Sequence, residues 1–390
     1  MENTLTILFL TYTRTLFGAN KSLLALMLDL RERYNVKPVV LMYDKNDGPL
    51  AEELEKYNIP YIISPMKFWV VGKDTKLKYL RGFKGYIENK KNIQNILEKV
   101  QNYDINLVYT NNSTVQIGAM LADKLNAPHI WYVREFGAEY GDYDFVFNYP
   151  RRIVKKWFKK ASSVITISDV MYNYVKNGIG KYANVVRIYN GVANSKPIRE
   201  SFNENDKLQF CIVGALNEGK NQLELLKAAN ILSKQNKDFH INIIGSGDEY
   251  EKILKEYVED NNLDEFVTFW GYRSNVSEIL DKMDVGVICS KAEAFGRATV
   301  EYMFSSMPVI GADCGGTSEI IDDNQTGFLY KLGNAQELAD KMSNFIDERI
   351  CLREMGTNAF EKANTAYSLK NNTDSIYKLI DNPENKEKDN

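Results

Sequence analysis

The chain has 390 residues, 44% apolar and 26% charged, with a formal net charge of −3. These are the proportions of a globular protein that works in water, and the length points to two domains because single cores stop growing at about 250–300 residues. They exclude a membrane-spanning class, since no run of about 18 apolar residues occurs, and two histidines, His129 and His240, exclude a histidine-rich zinc site.

The net charge hides an asymmetry. Residues 1–200 carry 29 Lys and Arg against 19 Asp and Glu, a net of +10; residues 201–390 carry 20 against 33, a net of −13. A basic half joined to an acidic half suggests different partners for each. Cys211, Cys289, Cys314 and Cys351 are widely spread without paired spacing, which reads as reduced thiols in the cytoplasm.

In chain order, apolar periodicity predicts a strand at Thr6–Tyr12 rather than a signal peptide, then a helix at Asn20–Tyr34. A strand follows at Lys37–Tyr43, a helix at Leu50–Tyr57, a brief strand at Tyr61–Ile63 and a long helix at Phe83–Gln101. The first half continues with a strand at Leu107–Thr110, a helix at Val115–Leu125 and strands at His129–Arg134 and Ser163–Ile167. The polar stretch from Asn194 to Asp206 reads as a linker. Beyond it, strands are expected at Gln209–Val213, His240–Ile244, Phe266–Phe269, Val285–Cys289 and Val309–Gly311. Helices are expected at Leu223–Ser233, Glu249–Asn261, Asn275–Lys282, Ala298–Ser305 and Ala335–Ile346, with a last helix from Tyr367 to Ile380 and a charged tail. Such alternation is the signature of α/β chains with doubly wound parallel sheets.

The chemistry concentrates in Lys291-Ala-Glu-Ala-Phe-Gly-Arg-Ala-Thr-Val-Glu-Tyr-Met303. Glu293 falls in a loop at the carboxyl end of a strand and Glu301 about one turn into the next helix, the crevice where open α/β sheets bind ligands. Amides around Phe295, Gly296 and Arg297 would leave a helix N-terminus, which favours phosphate. Two carboxylates beside a phosphate site suit hydroxyls, as on a ribose and a sugar, and a nucleotide-sugar has all three groups.

This stretch, continued by Ser306-Met-Pro-Val-Ile-Gly-Ala-Asp-Cys-Gly-Gly-Thr-Ser-Glu-Ile-Ile321, resembles the donor site of retaining family 4 glycosyltransferases of the GT-B fold. The resemblance implies two Rossmann-like domains facing a central cleft: residues 1–194 for the acceptor, a linker at 195–206, and 207–366 for the nucleotide-sugar. It implies a terminal helix at 367–381 packing on the first domain, before a tail at 382–390. It assigns Glu293 to the sugar hydroxyls, Glu301 to the ribose and Lys220 to the donor diphosphate, with no cofactor because the nucleotide-sugar is a substrate. The family arginine of the first loop is replaced by Ala215, and Arg297 is expected to supply the missing charge. Donor contacts are further expected from Phe295, Gly296, Gly214, Asn217, Gly245, Gly271, Tyr272, Arg273, Gly316 and Thr317. Gly18, Ala19, Asn20, Arg134 and Glu135 are expected at the acceptor edge, the last two where relatives have a His-Asp pair.

Other motifs point elsewhere. Ile244-Gly-Ser-Gly-Asp248 lacks the third glycine of a dinucleotide fingerprint. Asp142-Tyr-Asp144 has the form of a metal motif but lies in a polar loop with no strand leading into it, so no metal is expected. Arg151-Arg-Ile-Val-Lys-Lys-Trp-Phe-Lys-Lys160 and Lys67-Phe-Trp-Val-Val-Gly-Lys73 mix basic and aromatic residues, which suits either an anionic bilayer or a solvated face over the core; no motif supports nucleic acid. The expected activity is sugar transfer, with a UDP-sugar favoured, to a glycan, lipid-linked or protein acceptor, in the cytoplasm or on the inner membrane face. A GT-B nucleotide-sugar epimerase and a noncatalytic GT-B partner are the alternatives.

Overall fold

The computed structural model describes residues 4–16, 18–43, 48–136, 145–194, 196–199 and 207–381. The chain divides into two compact units, one of Met1–Gly191 with Leu369 onward, the other of Val192–Ser368. The break thus falls at Gly191, ahead of the polar stretch read as a linker.

In the first unit the strands are β1 (Thr6–Thr11), β2 (Lys37–Tyr43), β3 (Tyr61–Ser64), β4 (Val70–Gly72), β5 (Leu107–Thr110), β6 (His129–Val133), β7 (Phe145–Phe147), β8 (Ser163–Thr166) and β9 (Val185–Arg187). Seven form a sheet in the order β3-β2-β1-β5-β6-β8-β9, every pair parallel. β1 and β5 are buried along their whole length, as apolar strands covered by helices on both faces must be. The order reverses beside β1, so the loops after β1 and β5 diverge there and leave a crevice.

The second unit holds β10 (Leu208–Val213), β11 (Phe239–Ile244), β12 (Val267–Gly271), β13 (Val285–Ile288), β14 (Val309–Ala312) and β15 (Gly327–Tyr330), in the order β12-β11-β10-β13-β14-β15, again all parallel. Its reversal lies between β10 and β13. Both units are therefore doubly wound, and the fold is of the GT-B class.

The last helix, Leu369–Asp381, belongs to the first unit. Tyr377 stacks on Tyr34 at 3.8 Å, Asp374 pairs with Arg33, and Asn372 donates to the Tyr189 carbonyl at 2.6 Å.

Several elements were not anticipated. β4 and β7 pair as a small antiparallel sheet of three residues each, too short for a periodic signal. β9 has three residues and β15 four. The helices Asp169–Asn177 and Ile350–Ala366 are the further additions.

For the basic-aromatic stretches the structure shows a solvated face over the core. Phe158, on the helix Arg151–Lys160, is fully buried and stacks against Trp131 at 5.0 Å and Trp69 at 6.1 Å. Trp69 is buried as well. These three rings are core, while Trp157 is half-buried and Arg151, Arg152, Lys156, Lys159 and Lys160 are exposed.

Candidate functional site

Four loops at the carboxyl ends of the second unit's strands build one surface. After β10, Gly214 N donates to Ile244 O at 3.0 Å, and Leu216 N donates to Ser246 O at 2.9 Å. Gly245 N donates in turn to Gly271 O at 3.0 Å. The loops after β10, β11 and β12 are so close that a Cβ on Gly245 would lie 1.8 Å from the Gly214 carbonyl oxygen. Gly245 also holds φ +152°, a region that side chains rarely adopt.

The first loop presents Lys220. Asn217 accepts the Lys220 amide through Oδ1 at 3.0 Å and so shapes the turn. Lys291 N donates to Gly219 O at 2.8 Å, which ties this loop to the one after β13. The result is an ion pair between the Lys220 ammonium and the Glu293 carboxylate across the switch point. Ser290 Oγ donates to the same Glu293 oxygen at 2.8 Å.

The acidic segment folds as its spacing implies, with Glu293 five residues past β13 and Glu301 inside the helix Arg297–Phe304. Gly296 caps that helix with φ +105°. Arg297 Nε donates to Glu301 Oε1 at 2.7 Å, one helical turn on. Arg297 thus meets a carboxylate of its own helix. Tyr272 and Arg273 are exposed just past β12.

Three residues expected at the donor are engaged or buried within the second unit. Gly316 N donates to the Glu293 carbonyl at 2.8 Å, so that amide is not available to a phosphate. A Cβ on Gly315 would lie 2.6 Å from Glu293 O, and one on Gly316 2.4 Å from Phe295 O. The Gly-Gly pair is there to let two backbones meet and fix the Glu293 peptide. Phe295 is buried with its ring on Tyr367 at 5.7 Å, and Thr317 is buried with an unpartnered Oγ1.

Tyr302 and Gly286 were missed by sequence reasoning. Val213 N donates to Tyr302 Oη at 2.7 Å, where the β10–β13 pairing has already ended at Cys211 and Gly286. A Cβ on Gly286 would sit 2.1 Å from the Tyr302 ring. The residue next to Glu301 therefore pins the acidic helix to the start of the Gly214 loop. The only sequence signal was a glycine inside a buried strand.

In the first unit, the loops after β1, β5 and β6 converge similarly. Asn20 takes a bond from Thr11 Oγ1 at 2.7 Å and donates to the Thr13 and Thr15 carbonyls at 3.0 and 2.7 Å. Its amide holds the loop before Gly18 and so shapes that edge. Asn111 donates to Ala19 O at 3.3 Å.

Arg134 and Glu135 are not a surface pair. Arg134 is buried over the Tyr132 ring at 4.0 Å, donating to Asn111 Oδ1 and Asn190 Oδ1, each at 2.9 Å. Glu135 accepts from Ser113 N and Arg134 N, both at 3.2 Å. Burial pushes its carboxyl above the ordinary value, against the pull of those donors and of the Arg134 charge. His129 lies deeper in β6, bonded to Thr110 Oγ1 at 2.8 Å, and burial lowers its pKa to about 3. It is a neutral core histidine.

No group of three potential ligand side chains is placed to hold a metal among the described residues. Asp142 and Asp144 lie outside those residues.

Residues 18–196 match the family described as Glycosyltransferase Family 4, and residues 194–362 match Glycosyl transferases group 1. An uncharacterized glycosyltransferase of Methanocaldococcus jannaschii is 30% identical over 331 residues, 83% of each chain. The chain belongs to the family 4 glycosyltransferases. Within the family, the poly(ribitol-phosphate) alpha-N-acetylglucosaminyltransferase of Staphylococcus aureus is 30% identical over 145 residues, 37% of this chain and 29% of that one. Among solved structures, Anabaena Alr3699/HepE in complex with UDP matches with a TM-score of 0.76 at 19% identity, over 97% of this chain and 100% of that one. That likeness shows the GT-B fold of this glycosyltransferase.

Proposed function

We propose that this glycosyltransferase moves a sugar from a UDP-sugar to a hydroxyl of a glycan or lipid-linked glycan during synthesis of a cell-surface polymer, with retention of anomeric configuration. The observation that carries this reading is the Lys220–Glu293 pair at the switch point of the second unit. With Arg297–Glu301 it makes two cations and two carboxylates on the loop after β13, the helix that follows it and the loop after β10. A nucleotide-sugar brings a diphosphate for the cations and hydroxyls for the carboxylates. On binding, Lys220 and Arg297 turn to the diphosphate, which releases Glu293 to the sugar and Glu301 to the ribose.

As the glycosidic bond breaks, negative charge gathers on the leaving diphosphate. Preorganised cations stabilise that charge more than they stabilise the ground state, which is the condition for catalysis. The proton of the acceptor hydroxyl passes to the departing phosphate oxygen, so the balance needs no further reactant. The choice of UDP is supported by Anabaena Alr3699/HepE, solved with UDP, and a polymer acceptor by the activity named for the Staphylococcus aureus relative. Arg134 and Glu135, with Asn111 and Ser113, hold the edge at which the glycan would enter.

Calorimetric titration with UDP-, GDP-, ADP- and dTDP-sugars tests the donor, followed by transfer to lipid-linked glycans with product anomericity read by NMR. Binding of UDP-sugars and transfer that persists in EDTA are expected. No affinity for any nucleotide-sugar would overturn the reading, and release of an isomerised sugar diphosphate without acceptor would replace it with the epimerase.

A further inference from the structure

The helix Lys78–Val100 of the first unit has two apolar faces. One carries Gly82, Gly85, Ile93 and Ile96 and is buried. The other leaves Tyr79 at 54%, Leu80 at 64%, Phe83 at 65% and Ile87 at 38% exposure, preceded by Leu77 at 73%. Tyr79, Phe83 and Ile87 recur at four-residue spacing and so form one row.

This row cannot turn inward. A Cβ on Gly82 would lie 2.1 Å from the Asn148 carbonyl oxygen, and one on Gly85 3.3 Å from the Lys67 side chain. Only the glycine face fits against that backbone, so the large side chains are held outward. Leu77 itself adopts φ +55° at the helix start, an unfavourable conformation for leucine that the fold nonetheless retains.

The row is set among charges of one sign. Residues 73–91 contain Lys73, Lys76, Lys78, Arg81, Lys84, Lys90 and Lys91 against only Asp74 and Glu88. Glu88 is paired with Lys67 at 3.1 Å.

We infer that this face docks on an anionic lipid bilayer, with Leu80, Phe83 and Ile87 entering the interface and the flanking cations meeting the phosphate headgroups. An amphipathic helix with a narrow apolar row and a basic border has that chemistry, and tyrosine suits the interfacial depth. A second copy of this chain is disfavoured, because a two-fold interface would set each basic border against its own image. The docking element is thus this helix and not Arg151–Lys160, whose aromatic side is core. The inference draws on the proposed lipid-linked acceptor only for its purpose, and vesicle binding can be measured without donor or acceptor.

The test is sedimentation of the full chain with phosphatidylglycerol-containing vesicles and with pure phosphatidylcholine vesicles, at low and high salt. Leu80→Ser with Phe83→Ser, and separately Arg81→Ser with Lys84→Ser, should each weaken binding to the anionic vesicles at least tenfold, while UDP affinity stays unchanged. High salt should weaken the wild type. No binding to anionic vesicles would overturn the inference, as would binding indifferent to both pairs of substitutions. So would a concentration-dependent dimer that Leu80→Ser with Phe83→Ser dissolves, or binding lost only when Lys155, Lys156, Lys159 and Lys160 are changed to Glu.

Discussion

The Lys220 ammonium and the Glu293 carboxylate, 73 residues apart in sequence, meet as an ion pair across the strand-order reversal of the second unit. Glu293 is mostly buried, with its side chain 14% exposed, and Lys220 is more open at 36%. The carboxylate is therefore the fixed member, anchored by Ser290 Oγ and by Gly316 N on its carbonyl, and the lysine is the member free to swing to a ligand.

Glu293→Gln should reduce kcat much more than it raises KM for the donor. The amide keeps the shape and the Ser290 contact but loses the charged acceptor that orients sugar hydroxyls as the bond breaks. Steady-state kinetics with a UDP-sugar check this. An unchanged kcat with a raised KM would remove Glu293 from the reacting end of the donor.

Glu301→Ala should weaken UDP binding by ~1.5–3 kcal/mol, the range for hydrogen bonds to a charged group. The same variant deprives Arg297 of its partner at 2.7 Å. Arg297→Leu and Lys220→Ala should each lower kcat, with a combined loss smaller than the sum because both act on one developing charge. Calorimetry and a double-mutant cycle read these terms. An Arg297→Leu enzyme with wild-type kinetics would leave Arg297 as a helix-surface partner of Glu301 only.

Tyr302→Phe removes one hydroxyl and leaves the Val213 amide, bonded to it at 2.7 Å, without that acceptor. An unsatisfied buried amide costs about 1–3 kcal/mol, which for a unit of this size is a fall in Tm of roughly 2–12 °C. Because Val213 precedes the Gly214 loop, donor KM should rise too. A Tm within 1 °C of wild type, on a scale of about 2–4 °C per kcal/mol, would show that the bond is dispensable.

His129 makes folding sensitive to acid. Its folded pKa of about 3 lies below the ordinary 6.5 because burial disfavours the imidazolium. Between these values the unfolded chain binds the extra proton, so stability is full above 6.5 and falls as pH drops toward 3, by about 1.4 kcal/mol for each unit of pH. His129→Gln keeps a partner for Thr110 and should flatten that slope in urea melts between pH 4 and 7. Parallel slopes for the two proteins would mean that His129 is not the titrating group.

The alternation of apolar strands and amphipathic helices determined the α/β class, and the Glu293-to-Glu301 segment with its Pro-Val-Ile continuation determined the family. Both are local: strand and helix periods repeat within a few residues, and a loop between a strand and a helix carries its chemistry in consecutive positions. What the tertiary structure decided is who meets whom. That Lys220 reaches Glu293, that the Gly316 amide serves the Glu293 carbonyl, and that Tyr302 holds Val213 depend on which strands neighbour β10, and that order is set by packing across tens of residues. The same holds for charge and aromatic patches. Phe158 and Phe83 sit beside similar lysines in sequence, yet one stacks on Trp131 and the other faces water, because only the backbone of Asn148 against Gly82 decides which side of a helix turns inward.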